Sequence, residues 1–178
     1  MGEKMLENVN IRPERTTDIE AIASITEQAF RSHPHSQQTE QFIIAALRQS
    51  GALSISLVAE VDGQVVGHIA FSPVQISDGS PDWYALGPIA VAPTFQHQGI
   101  GQALVNAGIE HLYLLGARGC VLVGEPDFYG RFGFHSNPDC TMDGVPPQYV
   151  LSLPLASYPQ AVGNITHHPA FNARSPQA

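Results

Sequence analysis

Lysine occurs once in this chain of 178 residues, and Lys and Arg together number 8 against 16 Asp and Glu, a net charge of −8. That balance excludes the basic footprint of a nucleic-acid-binding protein. An anionic ligand would have to be held by backbone dipoles and a few arginines. Charged residues make up only 13% of the chain, about half the usual share, but 43% is hydrophobic. The highly charged, weakly hydrophobic signature of disorder is therefore absent. Cysteine is scarce as well. Cys120 and Cys140 are too few for a disulfide framework and fit no zinc spacing. Cys120 sits in the apolar run Gly119-Cys120-Val121-Leu122-Val123, the setting of a buried thiol. No apolar run approaches the ~18 residues of a spanning helix. Met1 to Arg12 lacks the roughly 7–15-residue apolar stretch of a signal peptide. The expected compartment is the cytoplasm, with neither membrane nor nucleic acid as a partner.

What is present is one domain's worth of alternating patterns. A short strand begins at Ile11. Thr17-Asp18 supplies a helix N-cap, and Ile19, Ile22, Ala23, Ala29 and Phe30 fall on one helical face. Ser32-His33-Pro34-His35-Ser36 breaks that helix, and a second spans about Thr39 to Gln49. Three meander strands follow. The first two join at Asp62-Gly63, a two-residue hairpin signal, and the third runs from Trp83 to Ala92. Pro88 lies in that third strand and cannot donate to a ladder, so pairing on one side should fail there. A helix from about Gln98 to Leu115, a strand at Cys120–Val123, a short helix through Phe128, Tyr129 and Phe132, and a strand near Tyr149 to Leu155 complete the order. This sequence of elements predicts an α/β chain of the α+β type, with a mostly antiparallel sheet, one parallel strand–helix–strand crossover and flanking helices.

The chemistry is concentrated where the third strand turns into its helix, at Gln96-His97-Gln98-Gly99-Ile100-Gly101-Gln102. First-turn N–H groups of a helix lack intrahelical partners and lie at its positive end. Glycines there let an anion approach the backbone. A Walker A loop needs a lysine that is missing. A dinucleotide fingerprint needs a third glycine where Leu104 stands. The remaining pattern, Gln/Arg-x-x-Gly-x-Gly/Ala, is matched at every defined position, with neither glycine marking a helix end. The histidine pairs His33/His35 and His167/His168 lack a Cys or carboxylate partner at ligand spacing, so no metal is expected.

With this turn, Leu86-Gly87-Pro88-Ile89-Ala90-Val91 before it, Phe128-Tyr129-Gly130-Arg131-Phe132-Gly133-Phe134 after it and the closing His168-Pro169-Ala170-Phe171, the chain resembles the GNAT superfamily of acyl-CoA N-acyltransferases, in particular its YhbS-like branch. The resemblance runs from about Ile11 to Phe171. It implies one N-acetyltransferase domain over residues 11–172, with flexible ends at 1–10 and 173–178, and a single-domain GNAT fold whose central parallel strands splay around acetyl-CoA. It implies acetyl-CoA as cosubstrate and direct attack on the thioester by a small-molecule amine or a protein or peptide amine. Gln96, His97, Gln98, Gly99, Ile100, Gly101 and Gln102 would hold the pyrophosphate. Backbone at Ile89, Ala90 and Val91 would meet the pantetheine arm and polarise the acetyl oxygen. Tyr129 would protonate the departing thiolate. The third meander strand has no carboxylate, so the general base is left among Glu125, Glu60, His68 and a relayed water. Arg131 and Arg118 are candidates for coenzyme A phosphates. Trp83, Tyr84 and the Phe30–Thr39 loop are candidates for the acceptor side. A non-catalytic acyl-CoA sensor of the same fold is the alternative function, and monomer and homodimer both stay open.

Overall fold

The computed structural model describes residues 8–176. Strand β1 (Val9–Pro13) is followed by a 3₁₀ turn (Thr16–Asp18) and helices α1 (Ile19–Phe30) and α2 (Glu40–Gln49). The meander comprises β2 (Ile55–Val61), β3 (Gln64–Ile76) and β4 (Trp83–Val91). Helix α3 (Ile100–Leu115), β5 (Gly119–Val123) and α4 (Pro126–Tyr129) follow. The chain closes with β6 (His135–Ser136), β7 (Cys140–Thr141), β8 (Val150–Pro154) and β9 (Gly163–His167). The main sheet has the order β1-β2-β3-β4-β5-β8-β6, antiparallel except for β4 with β5.

Period-2 alternation sends β2 side chains to two separate cores. Leu57 joins Ile69, Phe71, Ile100, Leu104 and Leu112 beneath α3, whereas Val58 meets Ile22 and Ile44 beneath α1 and α2. The helices thus sandwich the sheet, and α3 delivers its N-terminus to the end of β4. An ion-pair cluster ties β1 and β2 to the 3₁₀ turn before α1. Arg12 donates to both oxygens of Asp18, at 2.8 and 3.1 Å, and to Glu60 at 2.7 Å.

Several local expectations are corrected. Strand β1 takes in Val9 and Asn10, which the sequence assigns to a flexible end, because they pair with Val61 and Glu60; the rest of that end, residues 1–7, lies outside the described residues, as do 177–178. Asp18 does not cap α1 with its side chain, because its carboxylate is turned to Arg12 and to the Arg15 N–H. The buried face of α1 is Ile22, Ile25 and Thr26, and Ala23 is exposed. Strands β6, β7 and β9 go beyond the predicted elements. The last of them pairs with the end of β3 through Val74↔His167, Gln75↔Thr166 and Ile76↔Ile165.

Candidate active site

Strands β4 and β5 are paired for only three positions, Trp83↔Gly119, Tyr84↔Cys120 and Ala85↔Val121. Beyond them β4 stays with β3, whereas β5 stays with β8 as far as Val123↔Val150. The parting occurs at Gly87-Pro88, where the β3–β4 register also shifts, Phe71 facing Leu86 and Ile69 facing Ile89. Pro88 thus stands where the sequence predicts a failure of pairing. Past it the Ala92 N–H donates to Val66 O at 2.8 Å. Antiparallel alternation then turns the backbone of Ala90 toward β3 and the polar groups of Ile89 and Val91 toward the gap. Ala90 is therefore corrected as a backbone contact: its amide belongs to the ladder, and it contributes a methyl group to the wall.

The β4–α3 turn is braced by its own glutamines. Gln96 Nε2 donates to Val91 O at 3.0 Å, and Gln98 Nε2 donates to Thr94 O at 3.3 Å. Between them the backbone bends through left-handed conformations at His97 (φ 62°) and Gly99 (φ 84°). Gly99 is the N-cap of α3, contrary to the expectation that neither glycine marks a helix end, and the helix starts at Ile100 rather than Gln98. The first helical bond is Ala103 N–H to Gly99 O, at 3.1 Å. Among the described residues no acceptor meets the backbone N–H groups of 97–102. Those donors, at the positive end of a sixteen-residue helix, form an anion cradle. An added Cβ at Gly101 would meet only Phe128 Cζ, at 3.8 Å, so the fold leaves this position open.

The gap and the cradle share one cleft of about 370 Å³. Phe128, Tyr129 and Arg131 form its wall on the β5 side, and Ala29 and Phe30 of α1, with His33 of the loop after it, close the opposite side. Tyr129 is set edge-on to Phe128, with ring centroids 4.8 Å apart, and lies 6.0 Å from the Phe134 ring. Burial, with a smaller contribution from Cys120, pushes its phenol up to about 12, so the proton stays on at neutral pH. The Arg131 guanidinium lies over the Phe128 ring, 4.9 Å from its centroid, and brings a cation to the cleft.

Residues 19–134, which span every one of these elements from α1 to Phe134, match the acetyltransferase (GNAT) family. The chain belongs to that family. It is 32% identical over 168 residues to the uncharacterized N-acetyltransferase YhbS of Escherichia coli K12, covering 91% of this chain and 98% of the relative. A GNAT family acetyltransferase from Brucella melitensis, solved in complex with acetyl-CoA, is 43% identical, with TM-score 0.82 over 93% of this chain and 99% of that one. Escherichia coli YhbS in complex with CoA is 30% identical, with TM-score 0.84 over 95% of this chain and 94% of that one. The predicted splayed GNAT sheet is the observed one.

Within this GNAT cleft the predicted residues separate. Gln96, His97, Gly99, Ile100, Gly101, Gln102, Ile89, Ala90, Val91 and Tyr129 all line it. Gln98 does not line it, and its side chain is tied back to Thr94. Glu125 is corrected as a candidate base. It lies at the N-cap of α4, where the carboxylate is exposed and outside the cleft. Glu60 is corrected likewise, since its carboxylate is paired with Arg12 and does not line the cleft. Arg118 stacks over Tyr158 with Asp82 3.8 Å away, apart from the cleft. Trp83 is core, 2% exposed, and neither it nor Tyr84 lines the cleft. His168 turns its Nδ1 to the Ala170 N–H, His167 stacks on Phe171, and among the described residues no cluster of three or more metal-ligating side chains occurs.

Gly124 is the functional residue that sequence reasoning missed. A Cβ there would lie 2.6 Å from Tyr129 Cε2 and 3.0 Å from Cδ2, so a bare backbone at the end of β5 is what lets the phenol stand in the cleft. The signal for it was a glycine five residues before a tyrosine, too general to single out.

Proposed function

We propose that this chain transfers the acetyl group of acetyl-CoA to a primary amine by direct attack on the thioester, with no covalent enzyme intermediate. The observation that carries the reading is a row of unpartnered N–H groups, residues 97–102, continuous with an opened strand edge and facing a protonated phenol. This donor set fits acetyl-CoA, because a pyrophosphate needs convergent N–H donors and room for close approach. Bound acetyl-CoA would supply the activated acetyl thioester. Backbone N–H groups of 97–102, with Arg131, would hold its phosphates. Ile89 and Val91 N–H groups would run beside the pantetheine arm and polarise the carbonyl oxygen as charge develops on it. Tyr129 would give its proton to the departing sulfur, and burial keeps that proton in place until the thiolate forms.

The acceptor is a small-molecule amine or the amine of a protein or peptide. The test is incubation with acetyl-CoA and a panel of polyamines, aminoglycosides, amino acids and peptides, following free thiol. Amine-dependent thiol release above the amine-free background is expected. Acetyl-CoA binding without release for any acceptor would move the chain to the sensor reading.

A further inference from the structure

A second polar assembly lies between the sheet and helices α1 and α2. Arg48 donates from Nε and Nη2 to the two oxygens of Glu14, each at 2.9 Å. The Ser56 hydroxyl donates to Glu14 Oε1, and Ser56 Oγ lies 2.8 Å from His68 Nε2. A serine hydroxyl has one proton. Since Ser56 gives it to Glu14, its oxygen must accept from His68, which fixes the proton on Nε2 and leaves a lone pair on Nδ1. That nitrogen is fully buried and has no partner among the described residues.

His68 is the cross-strand partner of Ala90. Directly paired residues point to the same face of a sheet, and on that face Ala90 and Ala29 line the cleft with Phe30. The side chain beside His68 at the cleft wall is thus a single methyl group. Resting on the acetyltransferase reading above, we propose that His68 Nδ1 is the proton acceptor for the attacking amine, reached through one water molecule, and that Ser56 and Glu14 carry the proton onward. The amine proton moves through the water to Nδ1, the Nε2 proton moves to Ser56 Oγ, and the Ser56 proton moves to the Glu14 carboxylate. Glu14, at the partly exposed end, gives that proton to solvent, and the imidazole is left with its proton on Nδ1. Once product has gone, the reverse shift, from solvent to Glu14 to Ser56 to Nε2 with Nδ1 releasing its proton through the cleft water, restores the starting tautomer.

Burial holds the imidazole neutral, at about 4 against the pull of Glu14, so it is unprotonated at pH 7. Burial also works to raise the Glu14 carboxyl, but the hydrogen bonds from Arg48 and Ser56 outweigh it and hold it below its ordinary value. Glu14 and Arg48 are the charged groups that face His68. Of the other elements around it, α1 carries Glu20 and Glu27, both exposed, β2 carries Glu60, paired with Arg12, and β4 carries only the phenol of Tyr84.

The test measures kcat at saturating acetyl-CoA, with an amine the wild type accepts, from pH 6 to 9. His68→Gln should lower kcat at pH 7 by about 10²-fold, the scale of general base catalysis. The acetyl-CoA KM should stay within about threefold, and the deficit should shrink toward pH 9 as hydroxide replaces the lost acceptor. A kcat within threefold of wild type, or a deficit equal at every pH, overturns the relay. Should His68→Gln fail to fold, Ser56→Ala cuts the same chain and should show the same pH-shaped deficit. Nitrogen-15 NMR of the wild type gives a readout independent of turnover. Protonated Nε2 with bare Nδ1 supports the assignment, and the opposite tautomer refutes it. Absence of thiol release by the wild type with every amine overturns the transferase reading and the relay with it. Thiol release by the wild type, with His68→Gln within threefold of it at pH 7, overturns the relay alone.

Discussion

Replacing Gly124 with alanine should damage turnover by displacing Tyr129, with the backbone that would hold the phosphates and the pantetheine arm left in place. The new Cβ would stand 2.6 Å from Tyr129 Cε2, 3.0 Å from Cδ2 and 3.1 Å from Leu122 Cδ1. Carbon–carbon contacts are optimal near ~3.5 Å, so the ring edge must withdraw by roughly 0.9 Å. It has little room to do so, with Phe128 edge-on at 4.8 Å and Phe134 at 6.0 Å. A displacement of about 1 Å in a catalytic group costs up to ~10²-fold, or about 2.7 kcal/mol in the barrier. We therefore expect kcat to fall 30–100-fold, on the order of that limit, with acetyl-CoA KM unchanged. Overpacking should also cost about 1–3 kcal/mol of stability. The assay is steady-state kinetics with a melting curve, together with the Gly124→Ala/Tyr129→Phe double variant. If both single changes act through one hydroxyl, the double variant should be little worse than either alone. A folded Gly124→Ala protein that keeps a third of wild-type kcat would refute the reasoning.

Other outcomes follow from the same geometry. Tyr129→Phe keeps the ring packing and removes the proton, so kcat should fall by about 10²–10⁴-fold with acetyl-CoA affinity nearly unchanged, measured by kinetics beside direct binding. Glu125→Gln should leave kcat within twofold, because its carboxylate is exposed outside the cleft; a loss of tenfold or more would restore it as a base. His68 and His167 are both held near 4 by burial. The unfolded chain therefore binds more protons than the fold between about pH 6.5 and 4, and stability should be full above that window and decline as pH falls through it. Urea midpoints from pH 7 to 4 check this, and His167→Phe should flatten part of the slope.

The anion cradle was legible because its determinants are local. Spacing alone sets two glycines and a helix start after an apolar strand. What spacing could not show is that Gly99 is the left-handed N-cap, since that follows from the closure of the turn by Gln96 and Gln98 onto Val91 and Thr94. Pro88 announced the strand parting because a missing donor is a property of the residue itself. Glu125 was misread for the opposite reason: nearness to Tyr129 in sequence says nothing of direction, and at the N-cap of α4 the side chain turns to solvent. Strands β7 and β9 are short and paired across long separations; the Asn164 N–H reaches Ser77 over 87 residues. The Ser56–Glu14 contact spans 42 residues, so no periodicity in the chain could have joined the two.

The most direct test of the account is calorimetric titration of acetyl-CoA into the wild type and into Gly101→Val. Gly101 has an ordinary negative φ and open space before it, so valine leaves the fold intact, unlike a side chain at Gly99 with φ 84°. Its branched methyls would stand over the N–H groups of the first turn and block the approach of a pyrophosphate. We predict saturable binding by the wild type and a loss of at least tenfold in Gly101→Val, about 1.4 kcal/mol, with equal melting temperatures in the absence of ligand. Equal affinity for the two folded proteins would contradict the placement of acetyl-CoA on the β4–α3 turn.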